Sequence, residues 1–159
     1  MKISTRFLTQ AAVIAAIYTV VTLIFAPISY GQLQVRVSEA LTLLPILTPA
    51  AIPGLFVGCL ISNLMNPAGI SMLDVCFGSL ATLAAALCTY SLRKKPVIAG
   101  IPPVLINAVV IGWVLMIQYQ LPYLATAGWV GLGQLIACYA LGFPLLFALR
   151  KLPSEVLSY

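Results

Sequence analysis

Residues 29–45 read SYGQLQVRVSEALTLLP, and they place an arginine, a glutamate and two glutamines between two apolar runs. Glu39 in this stretch is one of only three acidic residues in the chain. Ionisable side chains inside a membrane are costly and usually face a cavity or a partner. The stretch therefore predicts a polar site in an apolar protein, and the number of membrane crossings around it decides the fold.

The composition is typical of an integral membrane protein. Of the 159 residues, 62% are hydrophobic and 7% are charged, and the mean hydropathy is +1.12. Soluble domains carry about 25% charged residues, so this chain needs a lipid bilayer to cover its surface. Its length predicts a single domain over residues 1–159.

The same composition excludes several kinds of site. The net charge is +5, but the basic residues are scattered at segment ends and no nucleic-acid-binding motif occurs, so we expect no nucleic-acid partner. The chain has no histidine, which excludes a His-based metal site and a Ser-His-Asp triad. The four cysteines lie in apolar runs without a C-x-x-C pair, as packing residues do. Neither a metal nor a cofactor is expected.

Four apolar segments are long enough to cross about 30 Å of hydrocarbon. They cover residues 4–26, 70–92, 97–117 and 128–149. The stretch between the first two of them is ambiguous, because it contains Pro45, Pro49 and Pro53 and is long enough for one long crossing or two short ones.

The positions of the basic residues decide between five and six crossings. Basic residues precede the first segment (Lys2, Arg6) and follow the segments 70–92 (Arg93, Lys94, Lys95) and 128–149 (Arg150, Lys151). The positive-inside rule places all of them in the cytoplasm, which requires an even number of crossings between them. Residues 35–66 must then cross twice or not at all, and two crossings fit, residues 35–47 and residues 49–66. The sequence predicts an all-α bundle of six transmembrane helices with cytoplasmic N- and C-termini.

This topology gathers the polar and aromatic side chains in the outer half of the membrane. Such a gathering predicts an outward-facing pocket that captures a small polar molecule. The candidate substrate-binding residues are Tyr30, Gln32, Gln34, Arg36, Glu39, Asn63, Asn66, Asp74, Trp129 and Gln134.

Several of these residues also have a purely structural interpretation. Arg36 and Glu39 are spaced i, i+3 and can form an intrahelical ion pair. Ser71 and Asp74 form an S-x-x-D pattern that can cap a helix.

Two further alternatives concern the ends of helices. Trp129 can anchor the protein at the membrane interface instead of stacking on a ligand. Asn63 and Asn66 can terminate a helix, with Asn66-Pro67 as the turn.

Small residues recur four apart in two of the segments. The first segment carries two overlapping A-x-x-x-A pairs, Ala11 with Ala15 and Ala12 with Ala16. Such spacing makes a flat stripe for the close approach of another helix, either a partner's or one of the same bundle. Gly54 and Gly58 form a similar pair, which we assign to packing inside the bundle.

The chain has no G-x-x-x-x-G-K-[ST] motif, so we expect no ATP hydrolysis by the chain itself. This favours a binding subunit that takes its energy from a partner over a complete transporter. Residues 25–45, FAPISYGQLQVRVSEALTLLP, the paired A-x-x-x-A pattern and the six-helix format resemble the QueT family of substrate-binding (S) components of energy-coupling factor (ECF) transporters.

The resemblance implies a mechanism and a substrate. S components bind a vitamin-like solute at the outer side of the membrane and associate with a transmembrane coupling protein and two cytosolic ATPases. They are thought to topple in the membrane to deliver the solute. The resemblance makes the four alanines, Ala11, Ala12, Ala15 and Ala16, the docking surface for the partner. The implied substrate is a queuosine precursor, notably 7-aminomethyl-7-deazaguanine, taken up across a prokaryotic plasma membrane.

The residues suit such a ligand. A carboxylate accepts the N1–H and the exocyclic amine of a guanine-like base as a bidentate pair, and the aminomethyl cation favours a second acid. Glu39 and Asp74 can supply these two roles in either order, and Tyr30 or Trp129 can stack on the ring. Three alternatives remain at this point: an S component for a different vitamin or nucleobase, a non-transport membrane assembly protein, and an intramembrane enzyme, which ranks last because no activated nucleophile accompanies the two acids.

Overall fold

A computed structural model describes residues 4–30 and 34–151, and within these ranges it contains helices and no strands. The predicted all-α class is therefore confirmed. The helices are α1 (Thr5–Ile24), α2 (Val37–Ile46), α3 (Ala51–Leu64), α4 (Asp74–Ser91), α5 (Pro96–Tyr119) and α6 (Tyr123–Leu149). One additional helical turn, Ala26–Ser29, follows α1.

Four of these helices, α1, α4, α5 and α6, are long and apolar enough to cross a membrane. Helices α2 and α3 are shorter, with 10 and 14 residues. Helix α2 is a 3₁₀ helix, which rises about 2.0 Å per residue where an α-helix rises about 1.5 Å. Its ten residues therefore cover about 20 Å, more than their number suggests.

The predicted boundaries are close to the observed ones, with one larger correction. Helix α6 begins at Tyr123, not at residue 128, because Gln120 ends α5 in a left-handed conformation (φ 54°) and the extended Pro122 starts the next helix directly. Helices α4 and α6 also contain π-helical segments, Asp74–Gly78 and Ile136–Gly142. Such segments occur frequently at functional sites.

Polar side chains are buried in the bundle while large apolar ones cover its outside. Leu124 is 83% exposed and Ile24 is 68% exposed. The buried polar side chains include Thr22, Ser38, Thr42, Ser62, Asn63, Thr82 and Thr89. This is the reverse of the distribution in a soluble protein, and it fits a bundle surrounded by lipid.

One end of the bundle is identified by hydrogen bonds between helix termini. Tyr30 Oη, just after α1, donates to the Ser62 carbonyl near the end of α3 at 2.6 Å. Asn63 Nδ2 donates to the Asp74 carbonyl at 2.9 Å, and Gln118 Nε2, near the end of α5, donates to Asp74 Oδ2 at 2.8 Å. We call this the Asp74 end.

The opposite end joins the start of α1 to the ends of α2 and α6. Thr48 Oγ1 donates to Gln10 Oε1 at 3.1 Å, and Arg6, Leu47 and Leu149 line a common apolar groove. We call this the Arg6 end. Helix α4 starts at the Asp74 end and has 18 residues, or about 27 Å, so the basic residues 93–95 that follow it lie at the Arg6 end. Consecutive helices therefore run in alternating directions.

Helix α2 is the central element, since eight of its ten residues are buried. Neighbouring helices approach it closely where they carry glycine. A Cβ at Gly142 of α6 would lie 2.8 Å from the Ala40 carbonyl of α2. Because α2 carries Glu39 in its first turn, this packing holds the carboxylate in the middle of the bundle.

The alanines of α1 divide into two faces. A Cβ at Gly54 would lie 2.8 Å from the Ala11 carbonyl, and one at Gly58 would lie 2.9 Å from the Ala15 carbonyl. Ala11 and Ala15 thus face α3, whereas Ala12 and Ala16 are exposed. Only the second pair offers a free surface in the isolated chain.

Candidate functional site

Glu39 is bound by side chains from three other helices. It is 3% exposed. Its Oε1 accepts a hydrogen bond from Tyr18 Oη of α1. Its Oε2 accepts from Gln134 Nε2 of α6 at 2.9 Å and from Asn107 Nδ2 of α5 at 3.3 Å. All three donors are neutral groups, so they stabilise the carboxylate without neutralising its charge.

Arg36 links the start of α2 to the Asp74 end. Its guanidinium donates to Asn63 Oδ1 at 2.9 Å and to the Ser29 carbonyl at 3.4 Å, and it lies 5.6 Å from the centre of the Tyr30 ring. In the described structure these hydrogen bonds take the place of the intrahelical ion pair with Glu39 that the spacing allowed. Arg36 is 6% exposed and supplies a fixed positive charge to the interior.

Asp74 is the second buried carboxylate and is 4% exposed. Its Oδ2 accepts from Gln118 Nε2 at 2.8 Å, and its Oδ1 accepts a longer hydrogen bond from Gln34 Nε2 at 3.3 Å. Ser71 Oγ accepts the Asp74 backbone N–H at 3.2 Å, as a capping residue does. The cap uses only backbone and serine atoms, so the carboxylate itself remains available to a site.

Two cavities adjoin these carboxylates. The inner cavity has a volume of about 10 Å³, which is barely enough for one water molecule. Its polar lining consists of Gln34, Arg36, Glu39, Thr82, Asn107 and Gln134. The outer cavity has a volume of about 290 Å³, and Tyr30, Gln34, Asn66, Ser71, Asp74, Gln118 and Tyr119 belong to its lining.

Gln34 lies on the boundary, because it lines both cavities. Its backbone has φ 40°, a left-handed conformation that is uncommon outside glycine. The side chain is 8% exposed, and within the described ranges its Oε1 is a buried acceptor without a hydrogen-bond partner. A strained backbone and an unsatisfied buried oxygen at one residue are features that concentrate at binding sites.

Three other predicted residues, Tyr30, Asn66 and Trp129, occupy more peripheral positions. Asn66 lines the outer cavity and also forms the predicted turn, since its Oδ1 accepts the Ala68 N–H at 2.9 Å. Trp129 is 55% exposed on the outside of α6, a position that suits an interface anchor. Burial raises the pKa of the Tyr30 phenol, which therefore stays protonated and donates to Ser62. Gln32 lies outside the described residues.

The structure adds three residues that the sequence did not single out as candidates. Tyr18 and Asn107 bind Glu39, and Gln118 binds Asp74. Asn107 is the lone amide in the segment 97–117, a signal that could have identified it because isolated polar groups in membrane helices usually have a function. Tyr18 carries no such signal, since tyrosine is common in membrane helices.

Comparison with known proteins identifies the family. A family model described as QueT transporter matches residues 8–151. The chain belongs to the QueT transporter family. A relative from Lactococcus lactis subsp. cremoris (strain MG1363), described as queuosine precursor transporter QueT, is 34% identical over 84 residues. The match covers 52% of the chain and 48% of the relative, so it spans about half the length of that protein. No solved structure matches the chain.

Membership of the QueT transporter family agrees with the apolar exterior of the bundle and its four long apolar helices. The protein is therefore a membrane protein of a transporter family. The buried polar side chains around Glu39 and Asp74 are the candidates for contact with a solute.

Proposed function

We propose that this protein is the substrate-capture component of an ECF-type importer and binds a queuosine precursor, 7-aminomethyl-7-deazaguanine or a related deazapurine. The name of the Lactococcus relative supports the substrate class. The observation that carries the proposal is the buried Glu39 carboxylate with the amides of Asn107 and Gln134 around it. Together they offer the hydrogen-bonding groups that a guanine-like edge requires.

Glu39 is the residue that reads the guanine edge in this proposal. A deazaguanine presents N1–H and the exocyclic amine side by side, and a carboxylate accepts both. The amides of Asn107 and Gln134 then turn from Glu39 to the ring oxygen and N3. Because the inner cavity measures about 10 Å³, the side chains that line it must move apart when the base enters.

The proposed topology has six crossings, with both termini in the cytoplasm. At the Arg6 end the charged residues Arg6, Arg93, Lys94, Lys95, Arg150 and Lys151 are exposed. The positive-inside rule assigns that end to the cytoplasm. The outer cavity at the Asp74 end then faces the outside of the cell, and the solute enters from there. The membrane is the prokaryotic plasma membrane.

Transport in this scheme depends on partners, namely a transmembrane coupling protein and two cytosolic ATPase subunits. The exposed alanines Ala12 and Ala16 form the part of the small-residue stripe that a partner helix can reach. Ala11 and Ala15, which face α3, support the fold of the chain instead. Docking through Ala12 and Ala16 can therefore be separated from folding.

Replacing both Ala12 and Ala16 with leucine is expected to abolish co-purification with the coupling protein and uptake by cells, because the added side chains prevent close helix approach. Solute binding by the isolated chain should be unchanged. The matched control is Ala84→Leu, at an exposed alanine of α4, which should leave assembly intact. Normal assembly of the double variant would contradict the docking assignment.

The proposed function itself is tested by calorimetry on the purified chain in detergent. Titration with 7-aminomethyl-7-deazaguanine should show tight, saturable binding, with weaker binding of guanine and none of riboflavin. A folded sample that binds neither 7-aminomethyl-7-deazaguanine nor guanine would refute the substrate assignment. Binding of riboflavin in place of the purine-like ligands would favour a different vitamin.

A further inference from the structure

The charges buried in the bundle do not balance. Within the described residues the buried carboxyl side chains are Glu39 and Asp74, and the buried cation is Arg36. The other described basic side chains are exposed at the Arg6 end. With both carboxylates ionised, the interior carries one more negative charge than positive. A buried charge without a partner is costly, so a ligand with a single positive charge suits this site best.

The two carboxylates differ in how completely they are bound. Glu39 has donors on both oxygens, from Tyr18, Gln134 and Asn107. At Asp74, Oδ2 receives a hydrogen bond of 2.8 Å from Gln118, but Oδ1 receives only a long one of 3.3 Å from Gln34. Asp74 Oδ1 therefore retains capacity for a stronger donor.

A second acceptor next to Asp74 has no partner. Gln34 donates through Nε2 to Asp74 Oδ1. The other end of the same amide group, Gln34 Oε1, is buried without a hydrogen bond. Gln34 also lines both the inner cavity at Glu39 and the outer cavity at Asp74. The Gln34 amide oxygen and the Asp74 carboxylate oxygen belong to two side chains that are joined by a hydrogen bond. They provide two acceptors for a primary ammonium group, which has three N–H donors and can replace the Gln34 NH₂ group at Asp74 Oδ1.

We propose that Asp74 Oδ1 and Gln34 Oε1 form a subsite for a primary ammonium group, which selects an amine-bearing deazaguanine over neutral ones. This inference rests on the proposed function, and it divides the roles of the acids: Glu39 reads the base edge and Asp74 binds the side-chain cation. Gln34, which touches both cavities, lies where the base and its substituent meet.

The first test varies the ligand and leaves the protein unchanged. The purified full chain in detergent is titrated with three 7-deazaguanines that carry aminomethyl, hydroxymethyl or cyano groups at position 7. The hydroxymethyl compound has nearly the shape of the aminomethyl one but no charge. We expect the aminomethyl compound to bind about 10-fold tighter or more than either neutral one, the usual strength of a charge-assisted hydrogen bond.

The second test locates the preference in the protein. Asp74→Asn should bind the aminomethyl and hydroxymethyl compounds with equal affinity. Glu39→Gln should lower the affinity for all three compounds by a similar factor. Gln34→Met keeps the length of the side chain but removes the amide oxygen, and it should reduce the preference for the aminomethyl compound over the hydroxymethyl one. It serves as the test variant if Asp74→Asn does not fold. Folding of each variant is checked by thermal unfolding without ligand.

The outcomes separate this inference from the proposed function. Equal binding of the charged and neutral compounds by the unchanged protein would overturn the ammonium subsite and leave the deazaguanine assignment in place. Binding of none of the three by a folded sample would overturn both. If folded Asp74→Asn still prefers the aminomethyl compound, Asp74 does not bind the ammonium group and the proposed subsite is wrong.

Discussion

Glu39→Gln is expected to weaken the binding of 7-aminomethyl-7-deazaguanine by about 100-fold or more, because it removes two charge-assisted hydrogen bonds from the centre of the site. The glutamine amide can accept one N–H of the base edge, but its NH₂ group opposes the other. The side chain keeps its size, so the substitution tests charge and hydrogen bonding instead of packing. Calorimetry on the purified chain measures the loss directly.

The control for this experiment must distinguish a lost contact from a lost fold. Gln120→Ala changes an exposed side chain whose hydrogen bond is local, from Nε2 to the Ile117 carbonyl at 3.0 Å, and the affinity should not change. The thermal midpoint of Glu39→Gln should remain near that of the unchanged protein, since Tyr18 can still donate to the amide oxygen. The Asn107 and Gln134 amides, which donate to the other carboxylate oxygen, can turn over to present their own oxygens to the new NH₂ group. Unchanged affinity in a folded Glu39→Gln protein would remove Glu39 from the binding site.

Much of the architecture could be predicted because each helix corresponds to an apolar run. The prolines and basic residues that separate the runs divided the chain close to the helix boundaries in the structure. The helix type, 3₁₀, α or π, could not be predicted from the apolar runs. Whether α2 is 3₁₀ or α depends on the space left by its neighbours, such as the close approach of Gly142 to Ala40, and this is a property of the packed bundle.

Polar residues in an apolar chain predicted much of the candidate site. Gln34, Arg36, Glu39 and Asp74 are conspicuous in the sequence, and the structure buries all of them around two adjoining cavities. Their pairing was not predictable. The ion pair suggested by the spacing of Arg36 and Glu39 is replaced by hydrogen bonds to residues far away in sequence, such as Asn63 for Arg36.

The two alanine pairs of α1 are a second case in which the sequence pattern could not predict the contacts. Ala11 with Ala15 and Ala12 with Ala16 have identical spacing, and successive residues of an α-helix point about 100° apart. Spacing alone therefore cannot tell which pair faces its own bundle. The glycines of α3 decide this, because only the backbone beside Ala11 and Ala15 approaches Gly54 and Gly58.

Gly58→Val is expected to destabilise the protein by about 3 kcal/mol and to impair binding with it. A Cβ at position 58 would lie 2.9 Å from both the Ala15 carbonyl and Tyr18 Cβ, so α1 must move away from α3. Tyr18 donates to Glu39, and the same movement withdraws that hydrogen bond from the site.

Thermal unfolding in detergent measures the loss of stability for Gly58→Val, and titration with the deazaguanine measures the loss of affinity. The matched control is Gly128→Val on α6, where an added Cβ meets nothing within 4 Å, and both quantities should stay close to those of the unchanged protein. Equal thermal midpoints for the two variants would show that the α1–α3 contact is looser than the glycine spacing requires. A lower midpoint with full affinity would show that Tyr18 is not needed to hold Glu39 in its binding position.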